Sequence, residues 1–364
     1  MTTLKENIKN IIALNGSITV NQYMSLVLTD PQFGYYQTQN PFGRNGDFIT
    51  APEVSQLFGE MIGIWLITSW KAQNCPQPFI LAEIGPGRGT LMDDVLRTLQ
   101  KLCVKAFNAA EIFLIETSQR LVQEQKKRLS SYKKKIHNFD SFDLLPSKPL
   151  FLIANELFDA LPIHQYIKID GIWRERCITL DKKGNFTFTV DQRKLPSDAF
   201  PLHCALAPEE TILEHSPLRN QLMQQISKHL VQTNGSALLI DYGSSELAFG
   251  DTLQALSKHK FRDIFAAPGE DDLTSHVDFF SLKKIALQQG CFAEILEQGD
   301  FLLKMGILER AGQLGCHKDS VIQNKICQDV ERLISPHQMG TLFKVLHISH
   351  QSTPLAQLLT MNNP

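Results

Sequence analysis

The sequence predicts an α/β protein: a mainly parallel, doubly wound sheet ending in an antiparallel hairpin, with a helical N-terminal region and a β insertion. Three observations predict it. Short apolar runs alternate with amphipathic helical stretches between residues 79 and 155, the rhythm of strand–helix–strand crossovers. Glycines 85, 87 and 89 sit between the first of these strands and the helix after it. The rhythm then breaks at 163–190 into closely spaced hairpin-like runs, and resumes at 218.

Residues 1–74 read as helical around a central loop. An amphipathic stretch covers 21–28, a loop dense in Gly, Pro and Asn covers 40–46, and an apolar helix covers 55–70. Residues 79–84 form a buried strand and 90–106 a helix. Residues 111–116 form a second strand, and 118–129 a helix with Ser118 as its N-cap. A weak third strand falls at 135–138 and a fourth at 149–155. After the insertion come a helix at 218–232, a strand at 236–241 and a helix at 277–289. The runs 291–296 and 301–305 are close enough to pair as the closing hairpin, and 316–350 reads as helices. The expected division is a helical region with a lid-like loop at 1–74 and a sheet domain built from 75–162 and 215–310. A β-rich insertion at 163–214 and a C-terminal helical extension at 311–364 complete it.

With 364 residues, 43% of them hydrophobic, the chain has ample material for a large core. Its 36 basic and 38 acidic residues leave a net charge of −2, so no global basic field points to nucleic acid. The richest apolar stretch, Met61-Ile-Gly-Ile-Trp-Leu-Ile-Thr-Ser-Trp70, falls short of the ~18–20 residues that span a bilayer. The N-terminus shows neither a signal-peptide core nor a transit-peptide composition, which predicts a cytoplasmic protein. Seven cysteines without a CxxC suggest reduced thiols, with no disulfide framework and no metal site. The oligomeric state stays open, a dimer among the options.

The most informative segment is Glu83-Ile-Gly85-Pro86-Gly87-Arg-Gly89-Thr90. Glycines in this spacing allow positive φ and close backbone approach to a ligand, beside the unpaired N–H groups of a helix start. A dinucleotide fingerprint would place its third glycine where Thr90 stands. An acid two residues before G-x-G-x-G is instead the S-adenosylmethionine (SAM) arrangement. Glu116 ends the next strand, where a carboxylate can accept both ribose hydroxyls. The bland readings are a structural turn and a solvated strand end. An NAD(P)-dependent oxidoreductase is the competing enzyme.

Two further stretches carry candidate residues. Residues 46–60 hold Asp47, Thr50, Glu53, Ser55 and Gln56 beside an apolar helix, and read either as a lid or as helix caps. Asn155-Glu156-Leu-Phe-Asp159-Ala-Leu-Pro162 follows the fourth strand, and in open α/β sheets ligands bind at the carboxyl ends of strands. Asp159 also suits a helix cap. His276 is a candidate proton acceptor, though such a histidine more often caps a helix.

With these motifs in hand, the chain resembles the MidA family, whose mitochondrial members assist assembly of respiratory complex I. The resemblance covers nearly the whole chain. It runs through Gly34-Tyr-Tyr36, residues 46–60, residues 83–92, Glu116-Thr-Ser118 and residues 154–162. It continues through Glu214-His-Ser-Pro217, Asp241-Tyr-Gly243, residues 251–255, residues 271–279 and residues 336–344. It implies a class I SAM-dependent methyltransferase that transfers a methyl group to a protein arginine, on a complex I subunit. The cofactor would lie on Glu83, Gly85, Pro86, Gly87, Gly89, Thr90 and Glu116, with Asn155, Thr50 and Ser55. Carboxylates must hold the guanidinium fork while one nitrogen attacks. Glu156 leads, then Asp159 and Glu53, with Asp47 and Tyr36 closing the site. The expected place is a bacterial cytoplasm, or the mitochondrial matrix for a processed eukaryotic form. A non-catalytic SAM-binding assembly factor is the second competitor.

Overall fold

The computed structural model describes residues 3–38, 50–192, 204, 206–257 and 260–350. The lid stretch around Asp47 lies outside the described residues. The central sheet is built from β1 (Phe79–Ile84), β2 (Ala110–Ile115), β3 (Ile136–Phe139), β4 (Leu150–Asn155), β5 (Gly235–Ser244), β6 (Phe292–Glu297) and β7 (Phe343–Ser349). Across the sheet they run β6-β7-β5-β4-β1-β2-β3. Every neighbouring pair is parallel except the two that involve β7.

Both faces of the sheet are covered, which is why its strands read as nearly continuous apolar runs. Phe79 and Leu81 point into one core, with Leu238 and Val345 and with helices Gln56–Ala72 and Thr90–Leu102. Ile80, Ala82 and Ile84 point into the other, with helices Pro217–Thr233 and Phe279–Gln288. Helix Gln56–Ala72 lies close against helix Thr90–Leu102 because of two glycines. A Cβ at Gly59 would stand 2.4 Å from the Asp94 Cβ, and one at Gly63 would stand 2.7 Å from the Thr98 Cβ. That approach sets the first helix, and the short segment before it, directly over the glycine turn.

The insertion is antiparallel as expected: His164–Ile169, Ile172–Leu180 and Phe186–Val190 pair in sequence, joined by Ile212–His215. The N-terminal helices Leu4–Asn15 and Val20–Thr29 pack on it. Ile8, Ile12, Tyr23 and Met24 share a core with Ile163, Ile178 and Phe186. A three-stranded sheet of Gln254–Ser257, Lys260–Arg262 and Asp272–Thr274 adjoins it, which the sequence pattern did not disclose.

The closing hairpin differs from the expectation. Residues 301–305 are not a strand but belong to helix Gln298–Lys304 and its C-cap, and β6 pairs with β7 instead. The reason is periodicity. Gln298, Phe301, Leu302 and Met305 are buried, a helical face rather than an alternating one. Conversely, Phe343–Ser349 is buried nearly throughout, and periodicity alone does not tell such a run from a core helix. Residues 316–350 therefore hold a strand of the central sheet as well as helices.

Candidate active site

The glycine turn links β1 to helix Thr90–Leu102. Gly85, Gly87 and Gly89 have φ of +66°, +51° and +76°, a region that side chains with a Cβ disfavour. The Gly85 N–H donates to the Ile115 carbonyl at 3.0 Å, and buried Gln125 donates to the Gly87 carbonyl at 2.7 Å. Asn138 in turn donates to Gln125 at 3.2 Å, so the turn is fixed from beneath by β3.

Glu83, the last but one residue of β1, lies just under the turn and is only 3% exposed. Burial pushes its carboxyl up to about 8, helped by the charge of Glu116 and opposed by a hydrogen bond from the Met92 amide. Among the described residues its Oε2 has no partner, and neither does the buried Oδ1 of Asn155 at the end of β4. Both residues line one cleft with Thr50, Pro52, Glu53, Gly85, Arg88, Thr90 and Glu156. Glu116 follows β2, accepts the Ser118 N–H at 2.8 Å, and is raised above the usual carboxylate range by burial.

Glu156 follows β4 in a left-handed conformation, φ +50°, which costs a non-glycine residue ~1–3 kcal/mol. Its N–H donates to Ile240 of β5 at 2.9 Å. Its carboxylate accepts from Asn155 Nδ2 at 3.1 Å and from the Ala51 amide at 3.3 Å. Burial, then the charge of Asp159, push it up to about 7. Asp159 itself sits deeper, 5% exposed, and accepts the Tyr242 hydroxyl at 2.6 Å. Burial raises it, while Tyr242 and the Arg219 charge pull the other way. The Tyr36 hydroxyl reaches Asp272 at 3.3 Å.

Glu53 lies on the short helix Ala51–Val54 above the turn. It accepts the Thr90 hydroxyl at 2.9 Å and lies 4.0 Å from the Arg88 guanidinium. Thus the segment before helix Gln56–Ala72 is joined to both sides of the cleft, through Glu53 to the turn and through Ala51 to Glu156.

Comparison with known proteins agrees with this geometry. Residues 61–296 match the model of a family described as S-adenosyl-L-methionine-dependent methyltransferases. The chain belongs to that family. A mitochondrial protein arginine methyltransferase NDUFAF7 homolog from Drosophila melanogaster is 35% identical, over 94% of this chain and 84% of its own. The Homo sapiens protein arginine methyltransferase NDUFAF7 is 33% identical over 94% of this chain and 82% of its own. A Burkholderia thailandensis protein bound to S-adenosyl-homocysteine superposes with a TM-score of 0.83 at 26% identity. It covers 95% of this chain and 91% of that one.

The fold is therefore that of a class I methyltransferase, with SAM as cofactor, and the dinucleotide-dependent alternative falls away. The residues of the cleft fit that cofactor. SAM carries an ammonium and a sulfonium, and the methyltransferase offers the oxygens of Glu83 and Asn155, unpartnered among the described residues, next to a turn built on three glycines. A buried, unpartnered carboxylate is costly unless a cation meets it.

The sequence-predicted residues divide by place. Glu83, Gly85, Pro86, Gly87, Thr90, Asn155, Thr50, Glu53 and Glu156 line the cleft. Gly89 starts the helix beside it, and Glu116 lies against Glu83. Ser55 is a helix cap, accepting the Leu57 amide at 3.3 Å, whereas Thr50 makes no side-chain cap bond. His276 is packed edge-on against Tyr242 at 5.5 Å and lies in the neighbouring cleft with Glu214 and Arg219. Gln125, Arg219 and Tyr242 escaped sequence reasoning as site residues. Only Tyr242 carried a signal, since it follows the acid Asp241 within the fifth parallel strand.

Among the described residues no helix is long and apolar enough to cross a membrane.

Proposed function

We propose that this methyltransferase methylates a guanidinium nitrogen of an arginine in a partner protein. The observation that carries the reading is Glu156: a carboxylate at the lip of β4, in a left-handed backbone, poised between charged and neutral beside the cofactor cleft. The relatives named protein arginine methyltransferases support it. The resemblance to the MidA family extends the proposal to a subunit of respiratory complex I. The place would be a bacterial cytoplasm, or the mitochondrial matrix in a processed eukaryotic protein.

When bound, SAM supplies a methyl group on a cationic sulfur. The chain's task is to deliver a nitrogen to it. A guanidinium holds its proton to a pKa above ~12, so its nucleophilicity has to come from alignment and from where its charge is drawn. Ionised Glu156 pairs with two N–H groups and draws positive charge toward them, leaving the third nitrogen richer in electrons. Asn155 and the Ala51 amide hold that carboxylate in place. Asp159, fixed by Tyr242, adds negative potential behind it and acts as a positioning residue rather than a contact. Glu53 closes the turn side and is released from direct chemistry by its bond to Thr90.

The test uses full-length protein, SAM with a labelled methyl group, and an extract from cells lacking this enzyme. Mass spectrometry should find new methylarginine on a complex I subunit with wild-type protein, and none with Glu156→Gln. SAM binding without any methylated arginine would favour the non-catalytic assembly factor and sink the proposal.

A further inference from the structure

We propose that Arg219 and Asp241 form a buried clamp whose task is to fix the loop that carries Glu156, making both of them positioning residues for methyl transfer. The role in transfer rests on the reading of Glu156 given above, while the clamp itself rests on geometry alone.

Arg219 is 5% exposed at the start of helix Pro217–Thr233. A buried guanidinium usually spends its donors on carboxylates or phosphates. Here its hydrogen bonds go to neutral backbone and hydroxyl oxygens of two separate loops. Nε donates to the Phe158 carbonyl at 2.6 Å and Nη2 to the Asp159 carbonyl at 3.1 Å. On the other side, Nη1 donates to the His276 carbonyl at 2.7 Å and Nη2 to the Ser275 hydroxyl at 2.6 Å. The negative charges that offset it, led by Asp241 and Asp159, act at longer range.

Asp241, 1% exposed, answers from β5. Its Oδ2 accepts the Phe158 and Asp159 amides at 3.0 and 3.1 Å, and its Oδ1 accepts the Tyr242 amide at 2.9 Å. Residues 158 and 159 thus have their N–H groups held by Asp241 and their carbonyls held by Arg219. The Ser275 amide adds a second bond to the Asp159 carbonyl at 3.1 Å. Such saturation is more than a surface loop needs to be folded. It is what a left-handed residue two positions upstream needs to stay left-handed, because a strained conformation persists only where its surroundings over-determine it. Ser216 secures the downstream end, its hydroxyl donating to the Pro162 carbonyl at 2.7 Å while capping the helix that carries Arg219.

The two arms of the clamp also join elements far apart in sequence. Residues 275–276 follow the strand Asp272–Thr274, whose Asp272 faces Tyr36 of the N-terminal region. Arg219 therefore sets the register between the β4 loop and the wall opposite it. A lysine in its place keeps the charge but lacks the fork that reaches both loops.

The experiment compares wild type, Arg219→Lys, Asp241→Asn, Glu156→Gln and the double variant Arg219→Lys/Glu156→Gln, all as full-length chains. Hydrogen exchange at amides 156–161 should quicken ~10-fold or more in both single clamp variants, with the amides of Phe79–Ile84 as in wild type. SAM affinity by calorimetry should stay within ~3-fold. Methyl transfer into the enzyme-free extract should fall ~10-fold or more. The double variant should be no slower than Glu156→Gln alone, because a residue acting through Glu156 has nothing left to act on. Unchanged exchange at 156–161, or equal quickening in β1, overturns the clamp whatever the activity. Losses that multiply in the double variant, or SAM affinity that falls with turnover, overturn its role in positioning Glu156. If wild type methylates no arginine at all, the reading of Glu156 fails, and the exchange data still decide the clamp.

Discussion

Glu83 and Glu156 end neighbouring parallel strands and line one cleft, yet the chain holds them in opposite ways. Glu83 is held locally, by its strand and by the amide of Met92 in the next helix. Glu156, besides its neighbour Asn155, is held by groups from afar: Ala51 above it, Ile240 beside it, and the Asp241–Arg219 pair behind its loop. The proposed cofactor half centres on one strand–turn–helix unit. The proposed acceptor half depends on the assembled fold. Substitutions in the two halves should therefore separate binding from transfer.

Gly87→Val should give the largest effect. At φ +51° a β-branched side chain is strained and also fills the space above the turn. SAM affinity should fall at least ~100-fold by calorimetry, while exchange at amides 156–161 stays near wild type. Wild-type SAM affinity in this variant would remove the turn from the cofactor site.

Glu156→Gln comes next. SAM affinity should hold while methyl transfer falls ~10²-fold, the usual scale for losing one group that stabilises a transition state. The wild-type rate should also climb with pH around 7, since the protonated carboxyl does not draw charge from a guanidinium. The glutamine variant should lack that limb. Lost SAM affinity with an intact rate at saturation would assign Glu156 to the cofactor half.

Glu83→Gln tests the cofactor half by its electrostatics. The carboxyl rises from the ordinary 4.5 to about 8 in the folded state, so between these values the folded chain binds more protons than the unfolded one. Stability from this group is then lost as pH rises through the window. The glutamine variant should melt higher than wild type at pH 9, and close to it at pH 5. It should bind SAM ~10-fold or more weakly, having lost a charged hydrogen-bond partner. A variant less stable than wild type at pH 9 would show that Glu83 is not carrying an uncompensated charge.

The same contrast explains what could be read from the sequence. The turn 85–90 and Glu83 were legible because strand, glycines and helix start are contiguous, and Glu116 because it stands at the end of the next apolar run. Asn155 and Glu156 were legible only as positions at a strand end. Nothing local reports the φ of Glu156 or the bond from Ala51. Arg219 was missed because a basic residue in the first turn of a helix normally reads as solvated surface. Its burial arises only when the 158–159 and 275–276 loops close around it. The misplaced hairpin has the same origin. The strand that pairs with β6 lies beyond four intervening helices, and only the assembled sheet selects Phe343–Ser349 over the nearer run.

Glu116→Gln should weaken SAM ~10-fold through the ribose, with little change in turnover at saturating cofactor. It belongs to the local half, and an effect on rate larger than on affinity would break the division.

Glu53→Gln should have the smallest effect, and it decides where the segment 50–55 belongs. Glu53 touches both halves: it bonds Thr90 at the turn, and its helix begins at Ala51, whose amide meets Glu156. Glutamine still accepts the Thr90 hydroxyl. Only the pairing with Arg88 is lost, and at 4.0 Å between side chains that are 35% and 22% exposed it is worth ~0.2–1 kcal/mol. SAM affinity and methyl transfer should each change less than ~5-fold. A fall of ~10² in transfer at saturating SAM would instead place the Glu53 carboxylate on the acceptor, beside Glu156. The acceptor half would then extend into the segment 50–55, which the turn holds through the Thr90 hydroxyl.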